Sequence, residues 1–313
     1  SGERDQVSSA DVDKIQQVLE HMNYLEVIKP ADDIDIRSIL VIIPDSYKRN
    51  MLDFSAQIVQ SFSARIENYL CSLSFYFQDE DSQREIRNLI MASDVVVMVA
   101  AEGTRELIQL CIAGNRPHLL VETDYRETSP VSIQINSDNH HGMQVAVQHL
   151  LDLGHRRIGF ITGNLINVTA EERLQAYRTT LLDAGITPQD ELMEVGNWVE
   201  ASGYEAGRYF LSLKHRPTAI IASNDMMALG AMRAVRETKL KVGKDLSIIG
   251  FDDIALAAQA NPALTTVRQQ LNAMGKMAAE LSWTLANNQP VHSHVISMPT
   301  ELIIRKTTGP APC

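Results

Sequence analysis

Cysteine is scarce in this 313-residue chain, which has three: Cys71, Cys111 and Cys313. An odd number without short spacings excludes a disulfide framework and a cysteine-based zinc site. Cys71 and Cys111 sit among apolar neighbours and read as inert packing thiols. Aromatic residues are few at 5%, against 45% hydrophobic residues in all, a balance that suits an α/β protein with an aliphatic core. No apolar run approaches the roughly 20 residues of a membrane span, so no membrane partner is expected. The N-terminus is polar and acidic rather than signal-like, and the expected location is the cytoplasm. Enzyme signatures are also missing: there is no GxSxG, no Walker A motif and no HExxH. "ITGN" (Ile161 to Asn164) has one glycine, too few for a dinucleotide fingerprint. His140 and His141 are adjacent on a helix and do not share a face, so they make no metal pair. No enzyme, cofactor or metal is implied.

Positive charge is in short supply too. The net charge is −11, and a chain this acidic is a poor nucleic-acid binder as a whole, because phosphate contacts need a basic face. Any DNA contact requires a separate basic module.

What is present is a long alternation of strand and helix. Expected strands are Ser38 to Pro44, Cys71 to Phe77, Asp94 to Ala100 and His118 to Glu122. Between them fall helices at Asp53 to Tyr69, with Phe54, Ile58, Phe62 and Ile66 four residues apart, at Asp81 to Met91 and at Thr104 to Ala113. A second stretch repeats the plan. It has strands at Arg157 to Thr162, Leu192 to Val195, Thr218 to Ser223 and Leu246 to Phe251. Its helices run from Asn139 to Leu153, closed by Gly154 as a left-handed cap, from Thr169, Ser202 and Asp225, and from about Gln269 to Ala286. Thr169 to Glu172 has the form of a capping box. Short strands follow near Val295 to Ser297 and Glu301 to Ile304. This order predicts two similar lobes, each a parallel sheet flanked by helices, with a ligand cleft between them and closure about a hinge.

Ile248 to Asp253 (IIGFDD) reads as a buried strand ending in two carboxylates, and Asn261 to Val267 (NPALTTV) follows it. In open α/β sheets ligands bind just beyond the carboxyl ends of strands. With "LGHRRIGFITG" (Leu153 to Gly163), "ERLQAY" (Glu172 to Tyr177), "NWVEASGYEAG" (Asn197 to Gly207) and "PTAIIASNDMMALGAMRAV" (Pro217 to Val235) in this order, the chain resembles the LacI/GalR family of transcription regulators from about Val7 to Lys306. The resemblance implies a type I periplasmic-binding-protein-like fold with a short N-terminal helical segment. It divides the chain into a partial DNA-binding headpiece and hinge (1–37), a first lobe (38–136 plus 267–292) and a second lobe (137–266 plus 293–306). Val7 to Tyr24 resembles the third headpiece helix, and the helix-turn-helix that contacts operator DNA is expected to be mostly missing from this chain. Leu25 to Arg37, with Asp32, Asp33 and Asp35, departs from the basic family hinge. Acidic residues repel phosphate, which argues against family-style hinge contacts.

The resemblance further implies a homodimeric repressor whose small-molecule effector, a sugar, binds in the cleft. Trp198 offers an indole platform for the C–H face of a sugar ring, or is a core Trp. Arg173 presents a fork for two oxygens, or a surface pair. Asn224 both donates and accepts, or caps a helix. Asp252 ends its strand as an acceptor, or forms a salt bridge or cap, while Asp253 reads as structural. In the first lobe Glu122, Asp53 and Phe54 are further candidates, with capping and core packing as their plainer roles. The competing reading is a periplasmic-type sugar-binding protein of a transport system, which shares the bilobal plan.

Overall fold

The computed structural model describes residues 36–44, 54–78, 83–100, 105–123, 132–291 and 294–312. The expected headpiece helix, the acidic hinge and Asp53 lie outside the described residues.

The first sheet forms where apolar runs are continuous. β1 (Arg37–Pro44), β2 (Cys71–Gln78), β3 (Val95–Val99), β4 (His118–Val121), β5 (Ser132–Ser137) and β11 (Val295–Met298) line up in the order β11-β5-β4-β3-β1-β2. All pairings in this sheet are parallel. Runs such as Val95 to Val99 suit a parallel sheet because both faces are covered. Alternation then sorts the side chains. Ile39, Val41 and Ile43 face α1 (Phe54–Ile66) and α9 (Leu271–Ala286), whereas Leu40 and Ile42 face α2 (Gln83–Ala92) and α3 (Arg105–Ala113). The four-residue spacing of Ile58, Phe62 and Ile66 places all three in this core.

The second sheet has the order β12-β10-β9-β8-β6-β7. Its strands are β6 (Ile158–Thr162), β7 (Met193–Val195), β8 (Ala219–Ala222), β9 (Ser247–Asp252), β10 (Thr265–Arg268) and β12 (Glu301–Ile303). Only β12 runs antiparallel to its neighbour. Phe160, Ile221 and Phe251 pack on α4 (Asn139–Asp152) and α5 (Val168–Asp183). Ile161, Ile220 and Ile248 pack on α6 (Glu200–Ser212) and α7 (Asp225–Arg236). α6 and α7 touch backbone to backbone: a Cβ on Gly203 would overlap the carbonyl of Met227, and one on Gly230 the carbonyl of Glu200.

Several expectations shift. β5, β10 and the short helix α8 (Ala255–Gln259) were not expected. The boundary expected at 267 falls inside β10, which belongs to the second sheet, and β11, expected with the second lobe, pairs with β5 in the first. Gly154 takes the positive φ of 88° that its cap role requires. The capping box at Thr169 does not form. α5 begins at Val168 behind Asn167, whose side chain makes no cap bond but accepts from Trp198 Nε1 at 3.3 Å.

The chain crosses between the sheets after β5, after β10 and after β11. The crossovers lie side by side. Asp138 N donates to the Met298 carbonyl at 2.8 Å, and Thr300 Oγ1 donates to the Asp138 carbonyl at 3.1 Å. Ser137 Oγ donates to Gln269 Oε1.

Candidate effector site

Parallel strands end on one edge of each sheet, and the expected site residues follow those ends: Glu122 after β4, Trp198 after β7, Asn224 after β8 and Asp252 closing β9. Backbone strain collects there. Glu122 (φ 49°), Trp198 (φ 70°) and Asp252 (φ 114°) all take positive φ, a conformation that persists in a non-glycine residue only where the surroundings enforce it.

Arg173 occupies the centre and is 2% exposed. Its Nε donates to Asn139 Oδ1 at 2.9 Å, its Nη1 donates to the Ser223 carbonyl, and Nη1 stands 3.9 Å from Asp252 Oδ1. The guanidinium lies 3.6 Å from the ring centroid of Phe251 and 6.0 Å from that of Trp198. Asp252, 6% exposed, accepts from Gln269 Nε2 at 2.6 Å. Burial pushes the Arg173 pKa down, and the charges of Asp252, Glu122, Glu172 and Asp225 oppose that shift. Burial likewise pushes the Glu122 carboxyl up, countered by Arg173 and by hydrogen bonding from the side chain and backbone N–H of Ser137. Asp225 lies beneath Asp252. Its Oδ1 accepts from Thr266 Oγ1 at 2.5 Å and its Oδ2 from Ile254 N at 2.9 Å, while burial and the neighbouring Asp252 charge hold its pKa well above the usual carboxylate range.

Trp198 covers this group from the side. Its ring sits over Gly163, and Nε1 reaches Asn167. Asn224 holds it from behind: Nδ2 donates to the Trp198 carbonyl at 2.8 Å, while Oδ1 caps α7 by accepting from Met227 N at 2.9 Å. Both halves of that amide are therefore engaged by the protein, as its plainer capping role anticipates. Phe54 opens α1 and packs against hydrophobic clusters of both lobes. Asp253 is structural, as expected, bound by Arg268 Nε at 2.8 Å and Arg305 Nη2 at 2.5 Å.

Arg173, Trp198, Asn224 and Asp252 thus converge, with Glu122 close enough for its charge to be felt at Arg173. Asn139, Ser137, Gln269 and Asp225 were missed. A polar residue that directly follows a strand or opens a helix is the signal that marks Gln269, Asn139 and Asp225. Ser223 was missed as well. Its Oγ is buried without a partner among the described residues, directly beside the Arg173 contact. Buried hydroxyls are rarely left in that condition.

What the pocket can do chemically is bind: it offers acceptors, one guanidinium and an aromatic face. Among the described residues no group of three or more His, Cys, Asp or Glu could hold a metal ion, and no helix is long and apolar enough to cross a membrane.

Comparison with known proteins leads to the same place. A family model described as a periplasmic binding protein-like domain matches residues 147–308. The HTH-type transcriptional repressor PurR of Photobacterium profundum is 30% identical over 230 residues, covering 70% of this chain and 69% of that protein. The lactose operon repressor of Escherichia coli is 28% identical, covering 96% of this chain and 83% of the repressor. Among solved structures, a cellobiose complex of the transcriptional regulator CelR superposes with a TM-score of 0.80 at 23% identity, covering 97% and 92% of the two chains. A LacI-family regulatory protein from Chloroflexus aggregans superposes at 0.76 with 26% identity, covering 86% and 98%. These relatives are regulators, neither enzymes nor transport proteins, and the chain described here belongs with them to the LacI/GalR family of transcriptional repressors.

Proposed function

We propose that this chain is the effector-sensing part of a cytoplasmic, homodimeric repressor, and that a sugar binds in the cleft between its lobes. The observation that carries the reading is the pairing of Arg173 and Asp252 beneath Trp198. A guanidinium fork and a carboxylate grip hydroxyls, and an indole face takes the C–H side of a sugar ring. Glu122 supplies a second acceptor from the first lobe. Phe54 supplies an apolar wall, and Asp53, its neighbour in sequence, a further acceptor. Asn224 serves the site by fixing Trp198. Residues 1–37 belong with the headpiece and hinge, and operator DNA is contacted through the helix-turn-helix of that headpiece. Effector and DNA affinities are then coupled reciprocally through lobe closure.

A thermal-shift screen against glucose, galactose, ribose, cellobiose, sugar phosphates and nucleobases tests the reading. A ligand of the folded state at a hundredfold excess over its Kd stabilises by about 2.7 kcal/mol. A sugar response that Asp252→Ala and Arg173→Ala abolish is the expected result. A response to nucleobases alone would overturn the sugar assignment and leave the family in place.

A further inference from the structure

Each pocket carboxylate is held by a residue of a different crossover, and those two residues hold each other. Ser137 ends β5, where the chain leaves the first lobe, and Gln269 follows β10, where it returns. Ser137 N donates to the Glu122 carboxylate, Ser137 Oγ donates to Gln269 Oε1, and Gln269 Nε2 donates to Asp252 Oδ1 at 2.6 Å. Ser137 and Gln269 are both buried, at 4% and 5% exposure, so water does not substitute for these bonds. The adjoining Asp138 is bonded to Met298 and Thr300 at the third crossover. The chain of bonds therefore runs from Glu122 through the first and second crossovers to Asp252, and the third crossover is attached to it through Asp138.

The direction of each bond is fixed by chemistry. A carboxylate only accepts, so Gln269 must turn its Nε2 toward Asp252 and its Oε1 toward Ser137. The Ser137 hydroxyl, able to donate or accept, then donates to the Oε1 that this orientation presents. A ligand hydroxyl that donates to Asp252 competes with Gln269 for the same oxygens, and one that donates to Glu122 competes with Ser137 N. Pulling on either carboxylate alters the grip of one crossover on the other.

We propose that Ser137 and Gln269 are positioning residues of the effector site, forming one brace that orients Asp252 and Glu122 and makes ligand engagement at either carboxylate act on the crossovers between the lobes. The inference rests on the sensor reading for the identity of the pocket, whereas the brace itself is testable without a ligand.

Amide hydrogen exchange is followed in peptides spanning residues 136–140 and 267–272 of the whole chain, in wild type, Ser137→Ala and Gln269→Met. Loss of one buried hydrogen bond is expected to speed exchange about fivefold in both peptides, whichever residue is changed. Acceleration confined to the peptide that carries the substitution overturns the brace. Should Gln269→Met fail to fold, Ser137→Ala decides alone through its effect on 267–272.

Gln269→Glu adds a readout that packing alone does not move. It places a second carboxyl group against Asp252, amid Arg173 from α5, Asp225 from α7, and Glu122 and Asp253 at strand ends, so the pair keeps its contact only by sharing a proton. Glucose, galactose, ribose and cellobiose are the probes. For any that wild type binds, affinity relative to wild type is expected to be about tenfold weaker at about pH 8 than at about pH 5. An affinity ratio that does not change with pH counts against the proposal. Wild type that binds none of the four fails the sugar reading instead, and the exchange experiment still decides the brace.

Discussion

Gly163 lies flat beneath the Trp198 ring, and a Cβ at position 163 would overlap the six-membered edge of the indole. The close approach needs a residue without a side chain. It also ties the platform to the end of β6, while Asn167 and Asn224 hold the indole nitrogen and the backbone carbonyl. Gly163→Ala is therefore expected to displace Trp198 and weaken sugar binding at least tenfold, with unfolding changed by no more than roughly 1–3 kcal/mol, the range for local overpacking. Tryptophan fluorescence in a Trp283→Phe background, where Trp198 alone reports, checks it. An unchanged emission maximum with unchanged affinity would show that the ring is not held by this contact.

Arg173 is the buried counter-charge for Asp252 and Glu122. Arg173→Met leaves both carboxylates without it, a loss of about 3–5 kcal/mol when one partner of a buried pair is removed. Arg173→Lys keeps the charge but loses the fork that reaches Asn139, Ser223 and Asp252 together, so it should recover part of the stability and little of the binding. Urea unfolding of the two variants separates the effects. Equal stability of Arg173→Met and wild type would sink the counter-charge assignment.

Asp225 makes a signed prediction about pH. Its folded pKa is raised by burial and by the Asp252 charge. A carboxyl raised in this way favours the folded state below its unfolded value of about 3.9, and that contribution is lost as pH rises through the folded value. Asp225→Asn keeps an oxygen for Ile254 N, and the Thr266 hydroxyl can turn to accept from the new amide. The variant should gain on wild type as pH increases from about 4 to about 8, measured as the difference in urea midpoints at fixed m. A difference that stays flat over the interval contradicts the assignment.

How much of this was legible beforehand depended on whether a residue declares its environment by its own chemistry. Val95 to Val99 could hardly be anything but a strand buried on both faces, and the IIGFDD run placed Asp252 at a strand end at once. β5 (SIQINS) and β10 (TTVR) hid because they carry buried polar side chains whose bonds are made far away in sequence: Ser137 to Gln269, Thr266 to Asp225, and Thr265 to Thr308 Oγ1 and Arg305 N. Missing β10 put a lobe boundary inside it, and missing β5 hid the partner that takes β11 into the first sheet. The same distance hid Ser137 and Gln269, which lie 132 residues apart and meet only once both crossovers are in place. Thr169 misled for the opposite reason. Its local pattern is that of a cap, but the helix starts one residue earlier and Asn167 turns to Trp198 instead.

His155 ties down the end of the chain, and its protonation should release it. The ring is buried, with Nδ1 2.9 Å from Thr218 Oγ1 and Nε2 3.0 Å from both Ser247 Oγ and the Gly309 carbonyl. A carbonyl only accepts, so Nε2 carries the proton and Nδ1 accepts from Thr218. Burial lowers the pKa, the Gly309 carbonyl raises it somewhat, and His149 nearby lowers it again. A depressed folded value means that stability is fully present above the unfolded value of about 6.5 and is lost as pH falls toward the folded one. The segment that leaves first is the one His155 holds. It is otherwise secured by Ile248 N to the Thr307 carbonyl at 2.8 Å and by Ala311 N to the Leu153 carbonyl at 2.9 Å. Between about pH 7 and about pH 5, wild-type Tm should fall and exchange in residues 306–312 should accelerate before exchange in β9 does. His155→Gln, which keeps a donor and an acceptor but does not titrate, should start from a lower Tm at neutral pH and lose the acid slope. An equally steep acid slope in His155→Gln would move the sensitivity to His149, which is also depressed by burial and touches Thr308 Oγ1 at 3.1 Å.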